Sequence, residues 1–101
     1  MEINPKEARQ EVDAGALLLD VREPQEWEIV RVEGSVLMPM RGVPARVDEL
    51  PKDRRILVLC HHGGRSYQVM RYLRAQGLDA VNVAGGIDVW AQTVDPSLPR
   101  Y

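Results

Sequence analysis

A chain of 101 residues, 45% hydrophobic and 28% charged, has material for one buried core and little room for a second. Thirteen basic side chains stand against fifteen acidic ones, and a net charge of −2 argues against a nucleic-acid or polyanion binder. The single cysteine excludes an internal disulfide and any multi-cysteine metal cluster, and a free thiol is most easily kept in a reducing cytosol.

The start, Met1 to Glu7, lacks the basic and apolar regions of a signal peptide, and no stretch approaches the apolar length of a membrane span. A cytoplasmic protein with no membrane partner is expected. Asn4, Pro5 and Glu7 read as N-cap, first-turn proline and capping-box partner of a helix running to about Asp13. Ala16 to Val21 is a short, mostly apolar run, as expected of a strand covered on both faces. Glu23-Pro24 opens a brief helix to about Ile29, and Ser35 to Met38 predicts another strand, closed by Pro39. Val43 to Leu50 carries a weak helical pattern between Pro44 and Pro51.

Ile56 to Leu59 is the central strand candidate. The helix after it, Tyr67 to Gln76, buries Val69, Leu73 and Met70 and stops at Gly77. Val81 to Val83 predicts a last strand, and Gly85-Gly86 turns into a helix over about Ile87 to Thr93. Residues 94–101 are expected to form an irregular tail packed over the body, so that 1–101 make one domain. Strands alternating with helices indicate an α/β layer fold. In open parallel sheets ligands sit outside the carboxyl ends of the strands, where both Cys60 and Asp20-Val21-Arg22 fall.

Cys60 follows the central apolar run and opens Cys60-His61-His62-Gly63-Gly64-Arg65-Ser66. A tight loop between a strand end and a helix start aims several backbone N–H groups at one point, which favours an anion. A thiol at that focus is stabilised as thiolate, the reactive form. Gly63 and Gly64 suit the curled loop. Arg65 supplies a fixed charge for an anionic substrate or for the loop's shape, and Ser66 reads as the N-cap of the next helix. The competing reading is a small buried hydrophobe with an inert thiol. Two glycines, an arginine and a helix start immediately after Cys60 argue against it.

These residues resemble a single-domain rhodanese, the sulfurtransferase family. The likeness rests on Asp20-Val21-Arg22 with Glu26-Trp27, Gly34-Ser35 through Pro39, and Cys60-x-x-Gly63-x-Arg65-Ser66. It continues through Gly77-Leu78 to Val83-x-Gly85-Gly86-Ile87-x-x-Trp90. The resemblance implies a mainly parallel sheet of about five short strands with helices on both faces. It implies that Cys60 carries a sulfane sulfur as a persulfide, with His61, His62, Gly63, Gly64 and Arg65 completing the active-site loop. The donor would be a small anion such as thiosulfate, and the acceptor a thiol, cyanide or a sulfur-carrier protein. No cofactor is implied. One departure stands out: the stretch Val30-Arg31-Val32-Glu33 replaces the family's usual Gly-His-Ile-Pro, placing Arg31 where a histidine is customary.

Cysteine phosphatases and arsenate reductases are the nearest alternatives. Their loop holds five residues between cysteine and arginine; here there are four, His61 to Gly64. A relay module that passes sulfur to a carrier protein stays open beside the enzyme reading. His61-His62 lacks the usual spacing of metal ligands, so no metal is expected, and the imidazoles are placed at the pocket entrance. Asp20 and Arg22 are read first as an ion pair bracing the strand end and second as catalytic groups. Trp27 and Trp90 are read as core or rim aromatics.

Overall fold

The computed structural model describes residues 1–101. Its strands are β1 Glu2–Ile3, β2 Leu17–Asp20, β3 Val36–Leu37, β4 Ile56–Leu59 and β5 Ala80–Val83. The helices are α1 Pro5–Asp13, α2 Pro24–Ile29, α3 Val43–Arg46, α4 Gly64–Ala75 and α5 Gly86–Thr93. All five strands run parallel in one sheet, in the order β1-β5-β4-β2-β3. The expected α/β architecture is therefore observed, with β1 as an additional edge strand that a two-residue segment does not announce.

Alternation along the strands sorts the core into two layers. Ile56 and Val58 of β4 face the same way as Leu19 of β2 and Ala80 of β5, and pack beneath Val43 of α3 and Val69, Met70 and Leu73 of α4. Leu57, Leu59, Leu18, Val81 and Val83 face the other way, onto Ala8 of α1 and Ile87 and Trp90 of α5. Both faces of β4 are thus covered, which explains why its sequence is apolar without interruption. Trp90 is a core residue, 1% exposed; Trp27 is half-buried, with the Arg31 guanidinium 5.2 Å from its ring centre.

The helix start at α1 is as expected: Asn4 Oδ1 accepts the Glu7 N–H at 2.8 Å, and the Glu7 carboxylate accepts the Asn4 N–H at 3.0 Å. The segment Val43 to Leu50 is not one helix. It divides into the single turn α3 and a 3-10 turn Val47–Glu49, and another 3-10 turn, Met40–Gly42, precedes it. Pro44 offers no N–H and two β-branched valines lower propensity, so burial of Val43 and Leu50 decides the path instead.

Past the C-terminal end of β2, Asp20 and Arg22 form a completely buried ion pair, with both side chains 0% exposed and Nη2 to Oδ2 at 2.8 Å. Arg22 also donates to the main-chain oxygens of Val30 (2.7 Å) and Glu26 (3.3 Å) and to the Tyr101 hydroxyl (2.9 Å). The charges brace the strand end, the first of the two readings. Asp20→Asn would leave the Arg22 cation buried without a counter-charge. It is expected to destabilise the fold by about 3–5 kcal/mol, measured by urea unfolding.

Candidate active site

Cys60 keeps the parity of Ile56 and Val58, so its side chain points to the α4 layer, beneath the first turn of that helix. It is 1% exposed, yet its sulfur does not lie in purely apolar packing. The Sγ accepts the Gly63 N–H at 3.1 Å, the Ser66 N–H at 3.3 Å and the Ser66 hydroxyl at 3.2 Å. Ser66 is not the N-cap. Gly63, at φ +107°, caps α4, which begins three residues earlier than the sequence predicts. Ser66 falls inside the first turn, where its hydroxyl turns inward and serves the sulfur instead of the helix end.

The remaining loop geometry follows from where the carbonyls go. The Cys60 and His61 oxygens accept from the Ile87 and Asp88 N–H groups at the start of α5, at 2.8 and 3.1 Å. The Gly63 oxygen accepts the Tyr67 N–H at 3.2 Å and the Asn82 side-chain amide at 3.1 Å. In a trans peptide the N–H points opposite to the C=O. Carbonyls held outward therefore turn the N–H groups of His61, His62 and Gly64 to the opposite side. None of these, nor that of Arg65, has an acceptor within the protein. The loop thus presents unspent donors around a sulfur atom at a helix N-terminus, the arrangement that binds an anion.

Gly86 is why α5 can come so close. A Cβ there would overlap the carbonyl oxygens of Cys60 and His61, and the residue sits at φ +62°. Gly86 is thus the floor of the loop, whereas a Cβ at Gly85 would meet Val89 of its own helix.

Arg65 does not point freely into the loop. It forms a bidentate pair with Glu26 from α2, at 2.6 and 2.9 Å. Glu26 also accepts the Tyr101 hydroxyl at 2.6 Å, and the same hydroxyl accepts from Arg22. The Arg65 guanidinium holds the Glu26 carboxyl down to about 2, against a resisting effect of burial. Burial and the Glu26 hydrogen bond push the Tyr101 hydroxyl up to about 12, so it remains a donor. The Tyr101 ring stacks on His61 with centroids 3.8 Å apart, and His61 stacks on His62 at the same 3.8 Å spacing. The tail is anchored by Arg100 on Asp88 at 2.9 Å. It packs over the body, as expected, but its end lies beside the loop, which no sequence signal announced.

The structure therefore gathers Cys60, His61, His62, Gly63, Gly64, Arg65 and Ser66 in one place and sets Asp20 and Arg22 behind them as a brace. It adds Glu26, Tyr101 and Asn82. Glu26 entered the sequence analysis only as part of the family likeness, without a role, and Asn82 was findable as the lone polar residue in the apolar run of β5. An apolar groove of about 210 Å³ between α3 and α4, lined by Met40, Val43, Pro44, Gln68, Val69 and Tyr72, contains no loop residue.

Three outcomes follow from this geometry. Gly86→Ala should destabilise the protein by about 2–3 kcal/mol in urea unfolding, because the Cβ meets main-chain oxygen. Gly42→Ala, at φ −86° with open space around it, should stay within about 1 kcal/mol on the stabilising side. His61 is held below its ordinary value of 6.5 by burial, then by its His62 neighbour. The folded chain thus takes up that proton less readily than an unfolded one, and its protonation lowers stability as pH falls below 6.5. Tyr101→Ala, which uncovers the ring, should move the His61 titration followed by NMR back up toward 6.5.

The comparisons with known proteins agree with this geometry. A family model described as "Rhodanese-like domain" matches residues 4–93. The chain is 34% identical over 92 residues to "Thiosulfate sulfurtransferase GlpE" of Pseudomonas syringae, covering 90% of this chain and 87% of that one. It is 36% identical over 104 residues to "Probable adenylyltransferase/sulfurtransferase MoeZ" of Mycobacterium tuberculosis, covering 98% of this chain and 26% of that protein's length. The solved structure of a rhodanese-related protein from Thermoplasma volcanium superposes with a TM-score of 0.86 at 31% identity, covering 92% of each chain. The chain spans about 26–30% of the length of the first curated relatives it matches. A strand-end cysteine under the N-terminus of α4, a loop seated on Gly86 and a family match over residues 4–93 place this chain in the rhodanese-like domain family.

Proposed function

We propose that Cys60 is the nucleophile and sulfur carrier, taking the outer sulfur of an anionic donor such as thiosulfate and passing it to a thiophilic acceptor. The observation that carries this reading is the ring of N–H donors: two already on Sγ and others, from His61, His62, Gly64 and Arg65, without an acceptor. The sulfur lies at the end of a strand with both faces packed, so it is held still while the loop peptides surround it.

The chemistry balances in two steps. The Cys60 thiolate attacks the sulfane sulfur of thiosulfate; a new S–S bond forms, the old one breaks, and its electron pair leaves with sulfite. The persulfide keeps one negative charge, which the unspent N–H groups receive. Cyanide or a thiolate then attacks the outer sulfur, and the pair returns to Cys60 as thiolate. Donor and acceptor occupy the same position in turn, which predicts ping-pong kinetics.

The Arg65–Glu26 pair bears on the choice of partner. A guanidinium already neutralised by a carboxylate attracts a free dianion less than an unpaired one does. This favours a second reading, in which sulfur is handed between Cys60 and a protein partner whose own surface supplies the binding energy. It also disfavours phosphate-ester hydrolysis, which needs the loop arginine on the phosphate.

Intact-mass analysis after incubation with thiosulfate is the test. Wild type should gain about one sulfur atom, removed by cyanide, and Cys60→Ser should gain none while melting at the wild-type temperature. No adduct on a folded wild-type chain, or an adduct that persists in Cys60→Ser, would reject Cys60 as the carrier. Turnover of thiosulfate and cyanide, set against persulfide transfer to a carrier protein, separates the two readings.

A further inference from the structure

Asn82 is fully buried in β5, between Val81 and Val83. A buried amide is costly unless its hydrogen bonds are made. Asn82 makes only part of its set: the Nδ2 donates to the Gly63 carbonyl at 3.1 Å and to the Glu2 carboxylate at 2.7 Å, while Oδ1 has no partner. Toward the sheet centre its register neighbour is Val58, in an apolar layer that does not need an amide; toward the edge it is Glu2, whose side chain is at the surface. A branched aliphatic residue would complete the layer without an orphaned oxygen.

What the amide does reach is the loop. Parity places Asn82 on the same face as Val58 and Cys60, with Glu2 beside it in register on β1. Of the loop carbonyls, Gly63 is the one held by a side chain; Cys60 and His61 are held by the main chain of α5. Holding that oxygen has two consequences. It steadies Gly63 at φ +107°, the conformation in which its own N–H donates to Cys60 Sγ at 3.1 Å. It also turns the N–H of the Gly63–Gly64 peptide away from Asn82, leaving it unspent. The Glu2 carboxylate orients the amide from behind through a charge-assisted bond.

We infer that Asn82 is a positioning residue of the sulfur site, fixing the peptides that stabilise the Cys60 thiolate and the sulfur it receives, with Glu2 as its support. This rests on the proposed role of Cys60, but the thiol can be read without any sulfur transfer.

The experiment compares wild type with Asn82→Leu and Asn82→Asp. Leu fills the space without a donor; Asp keeps the shape but turns an acceptor toward Gly63. Three quantities are measured: urea unfolding, the rate of Cys60 alkylation by iodoacetamide at pH 6.5 and pH 10, and thiosulfate sulfur transfer. Asn82→Leu should be at least as stable as wild type and alkylate about tenfold more slowly at pH 6.5, the worth of about one net hydrogen bond. At pH 10, where an ordinary thiol ionises unaided, the rates should agree. Sulfur transfer should fall by a similar factor. Should Asn82→Leu fail to fold, Asn82→Asp is read by the same alkylation ratio. A folded variant with the wild-type ratio between the two pH values would overturn the inference. A wild type that alkylates as expected but never accepts sulfur would sink the sulfur-carrier reading instead, while the alkylation ratio still decides for or against Asn82.

Discussion

A peptide's N–H and C=O point in opposite directions, and the loop from Cys60 to Arg65 is built on that constraint. To surround one sulfur atom with donors, each carbonyl in the loop must be received on the far side. Here the first turn of α5 takes those of Cys60 and His61, and Asn82 with the Tyr67 N–H takes that of Gly63. The requirement reaches well beyond the loop. It demands a helix N-terminus within hydrogen-bonding distance of the end of β4, which in turn demands a residue without a side chain at Gly86. It also explains why β5 tolerates a polar residue in its centre.

The second organising element is a chain of alternating charges behind the loop. Asp20, Arg22, the Tyr101 hydroxyl, Glu26 and Arg65 follow one another at hydrogen-bonding distances of 2.6–3.0 Å. Its inner end is fully buried and its outer end is at the loop, with the Arg65 side chain 36% exposed. The Glu26–Arg65 link persists over the whole neutral range. Its contribution is complete above the ordinary carboxyl value of 4.5 and is lost only as the pH falls toward about 2. Each positive charge in the chain has a carboxylate partner, so the loop's attraction for an anion comes from peptide dipoles more than from net charge. Peptide dipoles act at short range. A loop of this kind attracts an anion in contact with it and steers distant anions weakly.

Much of this was legible in the sequence because it is periodic or punctuated. The apolar runs ending at Asp20 and Cys60, the glycines at 63, 64, 85 and 86 and the capping box at Asn4 each have a local cause, and each lies where it was expected. The unread parts have non-local causes. β1 is two residues long and exists because β5 offers an edge to pair with. Ser66 has every local qualification for an N-cap, yet Gly63, able to take a left-handed conformation, caps α4 three residues earlier. Tyr101 is 75 residues from Glu26, and nothing in the terminal stretch marks its hydroxyl for that carboxylate. The partner of Arg65, Glu26, is not legible, because a carboxylate on a short helix looks like any solvated charge.

The stretch Val30-Arg31-Val32-Glu33, which departs from the family pattern, shows what the fold does and does not ask of that segment. Arg22 reaches it through the main-chain oxygen of Val30, at 2.7 Å, and a main-chain oxygen is indifferent to the side chain it belongs to. Val30 and Val32 are buried on the α1 and α5 face, while Arg31 and Glu33 are exposed. The turn itself is kept: Gly34 sits at φ +88°, and the Ser35 hydroxyl closes on the Val32 oxygen at 2.6 Å. Arg31 turns outward over the Trp27 ring, a cation–π contact on the surface and not a substitute donor inside. The inner demand of this segment is therefore a carbonyl for Arg22, two aliphatic side chains and a left-handed glycine. All three are met without a histidine, and the hydroxyl of Tyr101 supplies Arg22 with a further acceptor from the other end of the chain.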